Sequence, residues 1–292
     1  MIDAHHHLWR YRPSEFEWID GSMSKLQRDH LADEFVRTMR CAGVAGSVVV
    51  QARQTVSETE WLLEIAKNVP EILGVVGWLP LRDSNLKALL STARQNHLLK
   101  GLRHVVQDEP SDDFLLDPDF NRGMEFLTEG HLTFDLLVRE SQLPATNVFV
   151  RRFPGIPFVL DHLAKPDIRT GKGFDSWRGQ LLHLGECPNV SCKLSGLATE
   201  ARWNEWTLED LKPFLDAALE AFGTERLMAG SDWPVCLLAT GYDRWWNTLQ
   251  QWCAPFESST RAKILGLNAL HFYTLAQPVA EHIDLRERLS HE

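Results

Sequence analysis

The sequence predicts a single-domain α/β chain folded as a (β/α)8 barrel of the TIM type. Two observations carry this. Eight short apolar runs bounded by turn residues recur along the 292 residues, and helix-length amphipathic stretches lie between them. Each run is nearly continuous in hydrophobicity, as expected of a strand covered on both faces. An average of about 36 residues per strand–helix unit suits a fold that typically takes about 250 residues, with a surplus for long loops. A doubly wound open sheet is the competing architecture, but neither G-x-G-x-x-G nor G-x-x-x-x-G-K-[ST] follows any run.

The elements follow in order. Ile2 to His5 is the first run, and Leu31-Phe35-Met39 follows it at helical spacing. Gly46 to Gln51 precedes Trp61-Leu62-Ile65, Ile72 to Trp78 precedes Leu86-Leu89-Leu90, and Lys100 to Val105 precedes Phe120-Met124-Leu127. Leu132 to Val138 and Pro157 to His162 come next, the latter leading to Leu181-Leu182. Val190 to Ser195 leads to Leu211-Phe214-Leu215-Leu219, and Arg226 to Asp232 leads to Trp245-Leu249-Trp252. The surplus falls after runs one, four and seven (Leu8 to His30, Gln107 to Asp117, Leu197 to Thr207), on the side where barrel enzymes keep their chemistry. Residues 1–292 therefore form one barrel, with a peripheral C-terminal segment from about 277 to 292.

Composition narrows the function. Forty acidic against thirty basic residues give a formal charge of −10, which repels phosphate backbones and anionic membranes, so no nucleic-acid or membrane partner is expected. No apolar run approaches the roughly 20 residues of a membrane span, and no basic region followed by an apolar core opens the chain; the reading is cytoplasmic. Five scattered cysteines with no C-x-x-C pair read as small buried hydrophobes and not as a disulfide framework. Eleven tryptophans are many for this length and suggest, beyond core filling, a pocket for something flat or sugar-like.

Polar groups gather where the runs end. In Asp3-Ala4-His5-His6-His7, residues two apart share a face, so His5 and His7 project together into the barrel mouth and His6 points away, which is an H-x-H metal-ligand arrangement. Run four ends in Arg103-His104, run six in Asp161-His162 with Lys165 close behind, run seven in Lys193 and Ser195, and run eight in Ser231-Asp232-Trp233-Pro234. A barrel brings all these ends to one rim. Two other motifs carry nothing: Ser195-Gly196 lacks the G-x-S-x-G elbow, and the acidic run Asp108 to Asp113 reads as a solvated loop.

Together, His5-x-His7, His162 and Asp232 resemble the amidohydrolase superfamily. DAHHHLW at Asp3 to Trp9, GLRHVVQDEP at Gly101 to Pro110, DHLAKP at Asp161 to Pro166 and GSDWPV at Gly230 to Val235 resemble the amidohydrolase 2 branch of sugar lactonases (L-fuconolactonase, L-rhamnonolactonase) and 2-pyrone-4,6-dicarboxylate hydrolase. YRPSEFEWI at Tyr11 to Ile19 and VVQARQ at Val49 to Gln54 are most similar to the L-fuconolactonase members. The sequence departs from the wider superfamily at Asp135-Leu136-Leu137, where no bridging histidine or lysine stands, and at Lys193, where a histidine ligand would. This leaves one divalent metal, zinc in preference, on His5, His7, His162 and Asp232, or none.

The resemblance implies hydrolysis of a small sugar lactone, of the L-fucono or L-galactono kind, to the aldonic acid. Asp232 would be base and then acid, with a metal, or Lys193 and Arg103 without one, stabilising the oxyanion. His162 would be ligand or donor to the carbonyl, and Arg103 and His104 would bind substrate hydroxyls or a carboxylate. Trp9, Trp18, Trp203, Trp206 and Trp233 sit on the surplus loops and can wall a sugar ring. The alternatives are hydrolysis of an aromatic-catabolism lactone or a decarboxylation on the same barrel, and a non-catalytic sugar-binding barrel. A dicarboxylate would require several arginines at the mouth, of which Arg103 is the one clear candidate.

Overall fold

The computed structural model describes residues 1–130 and 132–278. Eight parallel strands run in sequential order: β1 Ile2–His6, β2 Gly46–Val50, β3 Ile72–Gly77, β4 Leu99–Val105, β5 Thr133–Leu137, β6 Phe158–Leu160, β7 Val190–Leu194 and β8 Leu227–Ala229. Past the end of β8 the chain returns to β1: the Asp232 amide donates to the His5 carbonyl (2.8 Å), and the His7 amide donates to the Trp233 carbonyl (2.6 Å). The sheet thus closes into a barrel and is not an open doubly wound one.

Helices follow the strands: α1 Ala32–Cys41, α2 Val56–Asn68, α3 Leu86–Ala93, α4 Pro118–Glu125, α5 Leu143–Arg152 and α6 Phe174–Gly185. After β7 come a short α7, Leu197–Glu200, and α8, Leu208–Phe222; α9, Tyr242–Cys253, follows β8. The helix α5 has no counterpart in the apolar pattern. Its buried face includes Thr146 and Asn147, whose side chains donate to the carbonyls of Gln142 and Leu143 one turn back, so that face does not look hydrophobic in the sequence.

Two strands are shorter than the apolar runs imply. The run to His162 ends as strand at Leu160 and the run to Asp232 ends at Ala229. The backbone leaves the ladder because His162, Leu163, Ala164 and Lys165 all take left-handed conformations, as does Asp232 (φ 57°).

Inside the barrel, Ile2, Ala4, Val48, Val50, Leu73, Val76, Val159 and Met228 fill one end as an apolar layer, joined by Tyr273 from the C-terminal side. Above them lies a polar layer of His5, Arg103, Asp135, Asp161 and Lys193, each at most 3% exposed. Outward-facing strand residues such as Phe134, Leu136, Phe158 and Leu160 pack under the helices. The two sides follow from the period-2 alternation of each strand.

Four cysteines are buried, Cys41 is exposed, and all five are free. No helix among the described residues is long and apolar enough to cross a membrane. Most of the expected peripheral segment, residues 279–292, lies outside the described residues.

Candidate active site

The strand ends converge as expected. His5 and His7 point into the barrel mouth, while His6 faces outward, its ring stacked on Phe35 at 3.6 Å. His5 Nε2 lies 3.2 Å from His7 Nε2 and 3.8 Å from Asp232 Oδ1, and His7 Nε2 lies 3.3 Å from the same oxygen. His162 Nε2 approaches Asp232 Oδ1 at 3.9 Å.

These distances test whether a metal fits. A point about 2.0 Å from all three donors of His5, His7 and Asp232 exists within their triangle, the length of a zinc–nitrogen or zinc–oxygen bond. His7 Nδ1 lies 2.8 Å from the Val50 carbonyl, which only accepts, so the proton sits on Nδ1 and Nε2 keeps its lone pair for a ligand. The structure divides the expected tetrad. His5, His7 and Asp232 form one candidate set, while His162 groups with His5 and Asp161 in a second. Three protein ligands with an open position describe a catalytic zinc site better than a structural one.

Two glycines make this packing possible. A Cβ on Gly196 (φ 69°) would fall 2.6 Å from His162 Nδ1, and one on Gly230 would fall 2.9 Å from the His5 Cβ. Gly196→Ala therefore combines backbone strain with displacement of the His162 ring from Ser195 Oγ, which it meets at 2.9 Å. The expected outcome is a loss of about 1–3 kcal/mol of stability in chemical denaturation and a lower kcat.

Charge in the site is set by burial and neighbours. Burial alone would raise Asp232, but His162, His7 and His5 outweigh it and hold the carboxylate well below its ordinary range. Burial lowers His162 to about 4, against Asp232 and Asp161, so the imidazole is neutral at neutral pH. Burial likewise holds His5 well below its usual value. For Asp161 the burial penalty is overcome by Lys193, His5 and Arg103, which keep it ionised.

Beneath the mouth, Lys193 is fully buried. Its ammonium sits 2.5 Å from Asp135, 3.0 Å from Asp161 and 3.0 Å from His5 Nδ1. It lies below the cavity and is not among the residues that line it. Asp135 also accepts from the Tyr273 hydroxyl at 3.0 Å, and burial raises this carboxyl to about 6. The sequence reading named Asp135 and Asp161 at their strand ends without giving either a role, and it did not single out Tyr273. The signal was there: an aspartate and a lysine, each flanked by apolar residues in its strand, require partners when buried.

The cavity above has a volume of about 310 Å³, at the lower end for small-molecule sites. His7, Arg103, His162 and Asp232 form its floor, and Trp9, Trp18 and Trp203 line it. Arg103 is spent on Asp161 (3.0 Å) and the Gln51 carbonyl (2.5 Å). Two expected contacts fall elsewhere. The alternation of β4 turns His104 outward, where it pairs with Glu109 at 2.6 Å and stacks on Phe114; Trp233 packs against His30 and Phe35. Trp206 lies under Arg244, away from the mouth. Arg139 and Lys165 add cations to the rim beyond Arg103. A shallower cleft of about 510 Å³ lies outside the barrel, but its cations are engaged: Lys25 with the Leu237 carbonyl, Arg28 with Glu34 and Arg244 with Trp206.

The loop behind the mouth is braced by Glu58 of α2, which accepts from the Ala52 and Arg53 amides. Burial raises this carboxyl to about 7, against those bonds and Arg53. A carboxyl raised above its unfolded value of 4.5 stabilises the fold fully below pH 4.5, and that contribution is lost as pH climbs to 7. Stability should therefore fall by about 3 kcal/mol from this group between pH 4.5 and 7. Denaturation midpoints at several pH values check this, and Glu58→Gln should flatten the slope.

Comparison with known proteins agrees with this geometry. Residues 2–275 match the family described as amidohydrolase. A protein of Burkholderia multivorans named L-fucono-1,5-lactonase is 40% identical over 287 residues, covering 95% of this chain and 97% of that one. Another of that name, from Burkholderia ambifaria, is 34% identical over 281 residues, covering 95% and 96%. The crystal structure of an amidohydrolase from Burkholderia multivorans with bound zinc superposes with a TM-score of 0.90, at 40% identity, over 94% of this chain and 99% of that one.

Proposed function

Since the chain belongs to the amidohydrolase family, we propose that it hydrolyses a sugar lactone of the L-fucono-1,5-lactone kind to the aldonic acid. The observation that carries this is Asp232, an ionised carboxylate ringed by three histidines at the floor of a tryptophan-walled cavity, in a chain 40% identical to a protein of that activity.

Asp232 is the proton acceptor. Its carboxylate, held well below its ordinary range and so ionised at neutral pH, takes a proton from the attacking water and returns it to the ring oxygen as the lactone opens. Neutral His162, oriented by Ser195, presents Nε2 to the reacting carbonyl, and Arg103, held by Asp161 and the Gln51 carbonyl, contributes its positive charge to the cavity without a free donor being required of it. Asp161, itself held by Lys193, lies 3.3 Å from His5 Nδ1 and accepts its proton, which leaves Nε2 free as a ligand. His5, His7 and Asp232 would hold one divalent metal, zinc by donor type, which when bound lowers the pKa of a water and polarises the carbonyl. An alkoxide leaving from a ring ester asks less of a general acid than an amine does, so aldonolactones are the expected substrates and simple amides and phosphate esters are not.

A pH-indicator assay over a panel of aldonolactones tests this, because each turnover releases a proton. Efficient amide hydrolysis with lactones inert would overturn the reading.

A further inference from the structure

Polar side chains that line a cavity and lack a protein partner mark where a ligand can be recognised, because a ligand that displaces their water without pairing them leaves a costly unpaired donor or acceptor. Nearly every charged group in this cavity is already engaged. Arg103 binds Asp161 and the Gln51 carbonyl, and Arg139 binds the Gln107 carbonyl and Asp108. His7 binds the Val50 carbonyl, His162 binds Ser195, and Asp232 faces the histidines. Two remain. Lys165 and Glu200 both line the cavity, both are half-buried, and among the described residues neither side-chain end has a hydrogen-bond or ion-pair partner.

Their placement has a local cause on each side. His162, Leu163, Ala164 and Lys165, with φ between 51° and 60°, make one turn of left-handed helix, which brings the first and fourth residues to the same side. Such a turn costs roughly 1–2 kcal/mol per non-glycine residue, a strain that persists where a site needs it. Here it sends Lys165 over His162 into the cavity. On the other side, Gly196 starts α7 in a left-handed conformation, and α7 ends on Glu200. Burial raises the Glu200 carboxyl above its ordinary range, with Lys165 as its largest attracting charge and Asp232 as its largest repelling one.

We propose that Lys165 and Glu200 are the specificity-determining contacts of the site, together binding a vicinal diol on the sugar ring. An ammonium donates only, and a carboxylate accepts; two adjacent hydroxyls offer one lone pair to the first and one proton to the second. The pair is neutral overall, which suits a neutral polyol, and Glu200 repels the second carboxylate of a dicarboxylate substrate. This assignment rests on the lactonase reading for the reaction but not for the binding.

The test separates the two. On L-fucono-1,5-lactone, Lys165→Met and Glu200→Leu should each raise KM about tenfold or more with kcat within about threefold, and Glu200→Gln, which keeps an acceptor, should restore KM to within about threefold. Unchanged KM, or lost kcat at unchanged KM, overturns the proposal; thermal unfolding and zinc content identify a variant that has merely misfolded. L-fucose, a pyranose with no ester to cleave, is titrated in parallel by the fluorescence of the wall tryptophans. Binding by the wild type that weakens about tenfold in Lys165→Met and Glu200→Leu supports the pair even if no lactone is hydrolysed. Equal binding in the variants, or none in the wild type, overturns it.

Discussion

Asp232→Asn should lower kcat by roughly 10²- to 10⁴-fold, the usual worth of a positioned general base. Asparagine keeps the shape and most of the contacts at the mouth but has no basic oxygen to take the water proton. Substrate binding should change far less, because a group that works in the transition state contributes little to the ground-state complex. Asp232 is also one of the three candidate ligands with His5 and His7, so the variant has to be read with its metal content measured. Near wild-type kcat at unchanged metal occupancy would remove Asp232 from the mechanism. A fall in kcat together with emptied metal sites would place its main contribution in ligation.

Lys193→Met should cost about 3–5 kcal/mol of stability, the usual penalty for stripping one partner from a buried ion pair. Lys193, Asp135 and Asp161 are all fully buried, and the ammonium lies within 3.0 Å of both carboxylates. Methionine fills similar space, so the loss reports charge and not volume. The pH dependence has a definite sign. Without Lys193, both carboxyls take pKa values further above what each would have with it, and a raised carboxyl destabilises above its unfolded pKa, so the deficit should be largest near neutral pH and shrink toward pH 5. Chemical denaturation at the two pH values measures this. The double variant Lys193→Met with Asp135→Asn should recover part of the loss, since removing both partners leaves no uncompensated charge. A deficit below about 1 kcal/mol, independent of pH, would mean that the pair is not the brace described here.

Much of the site was legible in the chain itself. The alternation along β1 placed His5 and His7 together and turned His6 away, and each did so. The aspartate beyond β8 and the histidine beyond β6 arrive at the same mouth, within 3.9 Å of each other. Applied to β4, the same alternation would have separated His104, which faces the helices, from Arg103, which faces the interior; ending both on one rim ignored the parity. The tryptophans divide without any sequence signal. Trp9, Trp18 and Trp203 reach the cavity, whereas Trp206 and Trp233 are packing residues, because the course of a long loop depends on what it packs against.

The sequence by itself determined the eight strands, their covered faces, the barrel and the chemistry gathered at its mouth, since all of these follow from local periodicity and from which residues end each strand. Only the tertiary structure decided how that polar material is spent. Lys193 and Asp135 are 58 residues apart and meet because parallel strands set their registers inside a closed barrel. His5 belongs to two candidate ligand sets, one with His7 and Asp232 and one with Asp161 and His162, and the chain turns left-handed at His162, a conformation that no hydrophobic pattern announces. Lys165 and Glu200 stay unpaired because their neighbours already have partners. Periodicity is a property of a single segment, but hydrogen-bond satisfaction belongs to a neighbourhood, and the neighbourhood exists only after folding.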